Sequence, residues 1–203
     1  MTQITSIKQQ VKNPERVSVF VDGKYEFSLS LDELLQQKLK NGDELTRADV
    51  KRLKKVSTDG KLKLRAMEWL LNRPHSTREF RDYLYRKKAE PELIESFIKD
   101  FSKRGYLDDR KFGLWFIDLQ TRRSKSNRAI RSKLFIKGLD RELVDELMAD
   151  QNDDELKRLK KLVAKKRQSA RYKNDELKLA KYLTSQGFGY SQVRDALKID
   201  DAG

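Results

Sequence analysis

The chain has 203 residues, 38% charged and 37% hydrophobic, and its 46 Lys and Arg against 32 Asp and Glu leave a formal net charge of +14. That lean apolar fraction suits thin helical layers better than one compact globule, and the excess positive charge points to a polyanion held by sequence-independent electrostatics. The absence of cysteine excludes disulfides, thiolate nucleophiles and cysteine-bearing zinc sites.

Met1 to Gln10 holds no apolar run of signal-peptide length, and no window approaches the roughly 18 apolar residues of a membrane span. The expectation is a cytoplasmic protein with no membrane partner. In chain order, Val17, Val19 and Val21 alternate before Asp22-Gly23, and Tyr25, Phe27 and Leu29 alternate after it. Two alternating runs joined by Asp-Gly predict a β-hairpin, because both turn residues need positive φ. Ile4 to Val11 is a candidate third strand, since a lone hairpin is marginal in water. Ser30 with Glu33 has the capping-box spacing and opens a helix through Leu31, Leu34, Leu35 and Leu39 to a stop at Gly42. Thr46 with Asp49 starts another, and Asp59-Gly60 reads as the hinge out of an amino-terminal module.

From Lys63 onward the periodicity is helical and repeats at about 50 residues. Phe80, Ile130 and Leu179 occupy equivalent places, as do Leu84, Leu134 and Leu183; Phe97-Ile98, Leu147-Met148 and Ala196-Leu197 share a later offset. Ser76, Ser126 and Asp175 stand at equivalent N-cap positions, with Ser76 and Glu79 spaced as a capping box. Gly138 and Gly187 sit where a left-handed residue ends the middle helix, and Lys88 takes that place in the first repeat. Asp108 and Asp109 are expected to cap the helix bearing Phe112, Trp115, Phe116 and Leu119, and Asp153 and Asp154 the helix from Glu155. The expected fold is mainly α: three tandem three-helix repeats forming an elongated, curved body after a small β-hairpin and helix module. The boundaries are 1–61 for the module and 62–107, 108–152 and 153–203 for the repeats.

No constellation for catalysis or metal binding is evident. His75, the single histidine, lies in a Pro74-containing turn and can form neither a His-based dyad nor a multi-His metal site. No glycine spacing matches a phosphate loop. Trp69 and Trp115 fall at helical spacing, as core residues do, whereas Tyr106 and Tyr190 stand at repeat edges. The chain is read as a non-enzyme without cofactor or metal.

Two tracts carry the charge. Arg122, Arg123, Lys125, Arg128, Arg131, Lys133 and Lys137 occur without an intervening acid, and so do Lys157, Arg158, Lys160, Lys161, Lys165, Lys166, Arg167, Arg171 and Lys173. Residues 155–203 hold 13 basic against 6 acidic side chains. A solvated helix face normally mixes signs to gain i,i+4 pairs, so these tracts are the candidate DNA-binding residues. Neutralising about six phosphates implies roughly a thousandfold loss of affinity between 50 and 200 mM salt. A directly DNA- or RNA-binding helical protein, such as a helix-turn-helix regulator, is the alternative from the residues alone.

The run Gly105-Tyr106-Leu107-Asp108-Asp109-Arg110-Lys111-Phe112, with Arg122-Arg123-Ser124-Lys125-Ser126-Asn127-Arg128-Ala129-Ile130-Arg131, Leu134, Lys137-Gly138 and Leu139-Asp140, resembles the central signature of the RecX family of recombination regulators. The likeness extends from Arg65 to the carboxy terminus, with Lys88 and Gln192-Val193 departing from the pattern. It implies tandem three-helix repeats, in keeping with the period above. It also implies binding in the groove of the RecA filament on DNA; a monomer is expected, with single- or double-stranded DNA bound without sequence preference. Such proteins modulate strand exchange, ATP hydrolysis and co-protease activity, usually by inhibition, in DNA repair and the SOS response. The basic tracts then face DNA and the acidic groove.

Overall fold

The structure is a computed structural model that describes residues 1–149 and 155–197. The chain divides into two compact units, Met1–Asn72 and Arg73–Gly203. The expected capping role of Asp153 and Asp154 lies outside the described residues.

In the first unit, β1 (Thr2–Gln10), β2 (Asn13–Val21), β3 (Lys24–Ser30) and β4 (Glu44–Leu45) form an antiparallel sheet in the order β3-β2-β1-β4. Asp22 and Gly23 take φ of 48° and 77°, so the β2–β3 turn has the two positive values that Asp-Gly supplies cheaply. The alternation of Val17, Val19 and Val21 with Phe27 and Leu29 puts one face of the hairpin into a core shared with Ile4, Leu45 and Leu53. β4 is two residues long, too short for an alternating pattern to announce it.

Helix α1 (Leu31–Gln37) begins with a complete capping box: Glu33 N–H donates to Ser30 Oγ at 3.1 Å, and Ser30 N–H to Glu33 Oε2 at 2.7 Å. It ends at Lys38, which takes φ of 52°, short of the stop expected at Gly42. Leu39 is thereby released to pack on the sheet core, and Gly42 turns the chain so that its N–H reaches the Ile4 carbonyl at 2.8 Å.

Helix α2 (Arg47–Leu71) starts where Thr46 and Asp49 were expected to start it, with the two forming a capping box, and continues without a break through Gly60. The hinge expected at Asp59-Gly60 is therefore absent. A Cβ on Gly60 would overlap the Glu33 carboxylate, so glycine stands there for close approach and not for a bend.

In the second unit, α3 (Thr77–Arg86) and α4 (Pro91–Lys103) are followed by α5 (Asp109–Arg122), α6 (Asn127–Ile136) and α7 (Arg141–Met148), and then by α8 (Glu155–Arg167), α9 (Glu176–Ser185) and α10 (Tyr190–Leu197). The repeat-related residues Phe80, Ile130 and Leu179, and likewise Leu84, Leu134 and Leu183, are all fully buried. Ser76, Ser126 and Asp175 accept from the N–H groups of Glu79, Ala129 and Lys178 at 3.1, 3.1 and 2.8 Å. Gly138 and Gly187 have φ of 88° and 98°. Lys88, although not glycine, takes the same left-handed conformation at φ 59°.

Successive repeats are joined by one recurring contact. Ser76 Oγ donates to the Lys137 carbonyl at 2.7 Å, and Ser126 N–H donates to the Gln186 carbonyl at 3.2 Å, so the N-cap of one middle helix meets the C-cap of the next. Thr77 N–H donates to Asp109 Oδ1 and Asn127 N–H to Glu155 Oε1, both at 2.7 Å. Asp108 caps α5 as expected, accepting from Arg110 and Lys111 N–H. Asp109 was expected to do the same, but it satisfies an orphan donor of α3 instead. No alternating glycine or proline signal predicts that role, because its partner lies 32 residues away.

Candidate nucleic-acid interface

The first tract runs from the end of α5 into α6, and folding divides it by partner. Arg122 pairs with Asp118 one turn earlier on α5, with N–O at 2.7 Å. Arg131 pairs with Asp145 of α7. Lys137, at the C-cap of α6, puts Nζ 2.6 Å from Glu79 Oε1. A tract free of acid in sequence is thus partly neutralised in space.

Glu79 is the hub of that neutralisation. Its side chain is 14% exposed, and it meets Arg73 Nη1 at 3.0 Å and His75 Nδ1 at 3.2 Å as well as Lys137. Burial would push its carboxyl up, but the hydrogen bonds from His75, Arg73 and Lys137 and the charge of Arg73 overcome this and hold it well below the usual carboxylate range. The carboxylate so engaged does not reach back to Ser76 N–H, so only half of the capping box expected at Ser76 and Glu79 forms. His75 is buried in its turn. Arg73 also lies over the Trp115 ring, 5.1 Å from its centre.

Arg123, Lys125 and Lys133 are arranged differently. Lys133 Nζ donates to Gln120 Oε1 at 2.8 Å and Lys125 Nζ to Gln186 Oε1 at 2.7 Å, both neutral amides. Burial, with the nearby charges of Lys125 and Arg123, lowers the Lys133 ammonium from its ordinary value. Three cations share a site, and none of them has a carboxylate partner among the described residues. Arg128 stands exposed on α6, also without an ion pair among the described residues. Gln120 and Gln186 are the members that the charge pattern misses. The signal was Gln120 itself, a polar residue at a buried position of α5 beside Phe116 and Ile117.

The second tract divides again. Arg158 turns into the repeat junction, where Nη2 donates to Asn127 Oδ1 at 2.6 Å. Arg167 ties the third repeat together, through Glu176 Oε1 at 2.9 Å and the Leu197 carbonyl at 2.9 Å. Lys166 lies over the Tyr172 and Tyr182 rings, and Arg171 over Tyr172. Lys157, Lys160, Lys161 and Lys165 stay exposed on α8, opposite buried Leu159, Leu162 and Val163. Their i, i+3, i+4 and i+8 spacing places them on one side of the helix, a strip roughly 12 Å long. Among the described residues no group of His, Asp and Glu is placed to hold a metal ion, and no helix is long and apolar enough to cross a membrane.

The model of the regulatory protein RecX N-terminal domain matches residues 2–46. Regulatory protein RecX of Listeria monocytogenes is 33% identical over 153 residues, which is 75% of this chain and 57% of the relative, so the match spans little more than half of that protein's length. Regulatory protein RecX of Bacillus licheniformis is 30% identical over 207 residues, 99% of this chain and 78% of the relative. A crystal structure of a regulatory protein RecX superposes with a TM-score of 0.71 at 23% identity, covering 98% of this chain and all of that one, which establishes the fold. With the same helical architecture and end-to-end likeness in sequence, the chain belongs to the RecX family of regulatory proteins.

Proposed function

We propose that this protein is a non-enzymatic, cytoplasmic regulator that binds the RecA filament on DNA and restrains its recombinase, ATPase and co-protease activities. The family membership supports RecA as the partner. The carboxylate-free group of Arg123, Lys125 and Lys133 carries the DNA part of the reading. Cations grouped without a carboxylate gain counter-charge from the phosphates of an incoming polyanion. Lys160, Lys161 and Lys165, exposed on α8, add further positive charge within this unit. The protein acts stoichiometrically: by binding one state of the filament better than another, it shifts the filament toward that state. The three repeats 62–107, 108–152 and 153–203 are its working units.

A DNA-dependent ATPase assay on the cognate recombinase, with and without this protein, tests the reading. Inhibition that saturates at a fixed ratio to recombinase and weakens with salt is the expected result. An unchanged ATPase rate at saturating protein, or tight sequence-dependent gel shifts without recombinase, overturns it.

A further inference from the structure

The amino-terminal sheet holds a buried charge on the strand that also carries Val17, Val19 and Val21. Arg16 on β2 is 7% exposed, and among the described residues its side chain donates from Nη2 to the Ser28 carbonyl at 3.0 Å and to Ser28 Oγ at 3.3 Å. It has no carboxylate partner among the described residues. A guanidinium taken out of water without a counter-ion is unfavourable, and an arriving oxyanion relieves that cost.

The space beside it is a cavity of about 390 Å³ between the strands and the second half of α2, within the range of small-ligand sites. Arg16, Lys61 and Arg65 line it against the single acid Glu68, and Tyr25 and Gln10 complete the wall. Tyr25 is half exposed and offers an aromatic face of the kind on which bases stack. Gln10 Nε2 donates to Ser18 Oγ at 3.1 Å, which orients its amide.

We propose that this cavity binds a nucleotide through its phosphate. Arg16 presents its Nε and Nη1 donors to the phosphate oxygens in the forked geometry a guanidinium allows. Lys61 and Arg65 add positive charge from α2, and Tyr25 takes the base. The site uses no residue of either basic tract, so it stands or falls independently of the filament reading. A free mononucleotide and a nucleic-acid strand both carry the required phosphate.

Amide chemical shifts of the full-length protein, titrated with adenosine monophosphate, adenosine, inorganic phosphate and a short oligodeoxynucleotide, test the site. Adenosine monophosphate or the oligonucleotide is expected to shift the amides of Gln10, Arg16, Tyr25 and Arg65, with adenosine at least tenfold weaker. Lys61→Glu and Tyr25→Ala, both at exposed positions and so compatible with folding, are each expected to weaken binding at least tenfold. Arg16→Met is expected to abolish it. Shifts from the mononucleotide alone assign a free nucleotide as the source, and shifts from the oligonucleotide alone assign a strand; either supports the site. No shift at these amides from either ligand, equal affinity for adenosine, or unchanged affinity in Lys61→Glu overturns the proposal.

Discussion

Ser76 Oγ accepts from Glu79 N–H at 3.1 Å and donates to the Lys137 carbonyl at 2.7 Å, so one hydroxyl caps the start of α3 and the end of α6 together. Ser76 is fully buried. Alanine there leaves the partly buried Glu79 N–H and Lys137 carbonyl each without that partner. Ser76→Ala is expected to lower the stability of the carboxy-terminal unit by about 2 kcal/mol, measured as a shift in the urea midpoint with unchanged m-value.

The same junction makes one glycine more sensitive than another. Gly42 and Gly138 have φ of 91° and 88°, but a Cβ meets nothing within 4 Å at Gly42, whereas at Gly138 it lies 2.6 Å from Arg78 Cβ. Both alanine variants pay the left-handed cost of about 1 kcal/mol. Gly138→Ala alone pays for overlap as well. Thermal unfolding is expected to show the larger loss for Gly138→Ala, and equal losses would show that the repeat junction yields freely.

Glu79 makes the fold sensitive to acid. Its carboxyl in the folded protein lies below the ordinary value, so the unfolded chain binds the proton more readily. Its contribution is therefore complete above about pH 4.3 and is lost as pH falls below that toward the folded value. Glu79→Gln is expected to be less stable than the parent by about 2 kcal/mol at pH 7, and urea unfolding between pH 7 and pH 2 is expected to show the two curves converging on the acid side.

Lys133 separates binding from folding. Burial disfavours its charge, and its neighbours Lys125 and Arg123 repel it. Lys133→Gln is therefore expected to leave the unfolding midpoint of the free protein unchanged or raised. In the same variant, DNA-filament affinity is expected to fall and the slope of log K against log salt to decrease by about 1. Arg131→Ala, which removes a cation already held by Asp145, is expected to change that slope less. A reversed order of the two variants assigns the interface to the paired cations.

Gly60 and Glu33 are coupled. Alanine in mid-helix normally adds about 0.5–1 kcal/mol over glycine, but a Cβ on Gly60 displaces the carboxylate that caps α1, at a cost of about 1 kcal/mol. Gly60→Ala alone is expected to be close to neutral. In a Glu33→Ala background it is expected to stabilise by about 1 kcal/mol, and a double-mutant cycle by chemical denaturation measures the difference.

The features legible in the sequence are those written in neighbouring residues. Asp22-Gly23 specifies its turn through backbone sterics, and Ser30 with Glu33 and Thr46 with Asp49 specify helix starts through hydrogen bonds three residues long. The 50-residue echo of Phe80 in Ile130 and Leu179 specifies three like units, since each helix must bury the same stripe. Tertiary structure alone decided what the charges do. Lys137 and Lys133 are indistinguishable in sequence, four residues apart in one acid-free tract, yet one meets a carboxylate 58 residues away and the other an amide 13 residues away. Gly60 reads as a hinge until Glu33 is seen against it, and Asp109 reads as a cap for its own helix until Thr77 is seen beside it. Helix propensity and caps act along the chain, whereas Coulomb attraction and steric exclusion act through space, so only the folded chain determines which cations remain for an external polyanion.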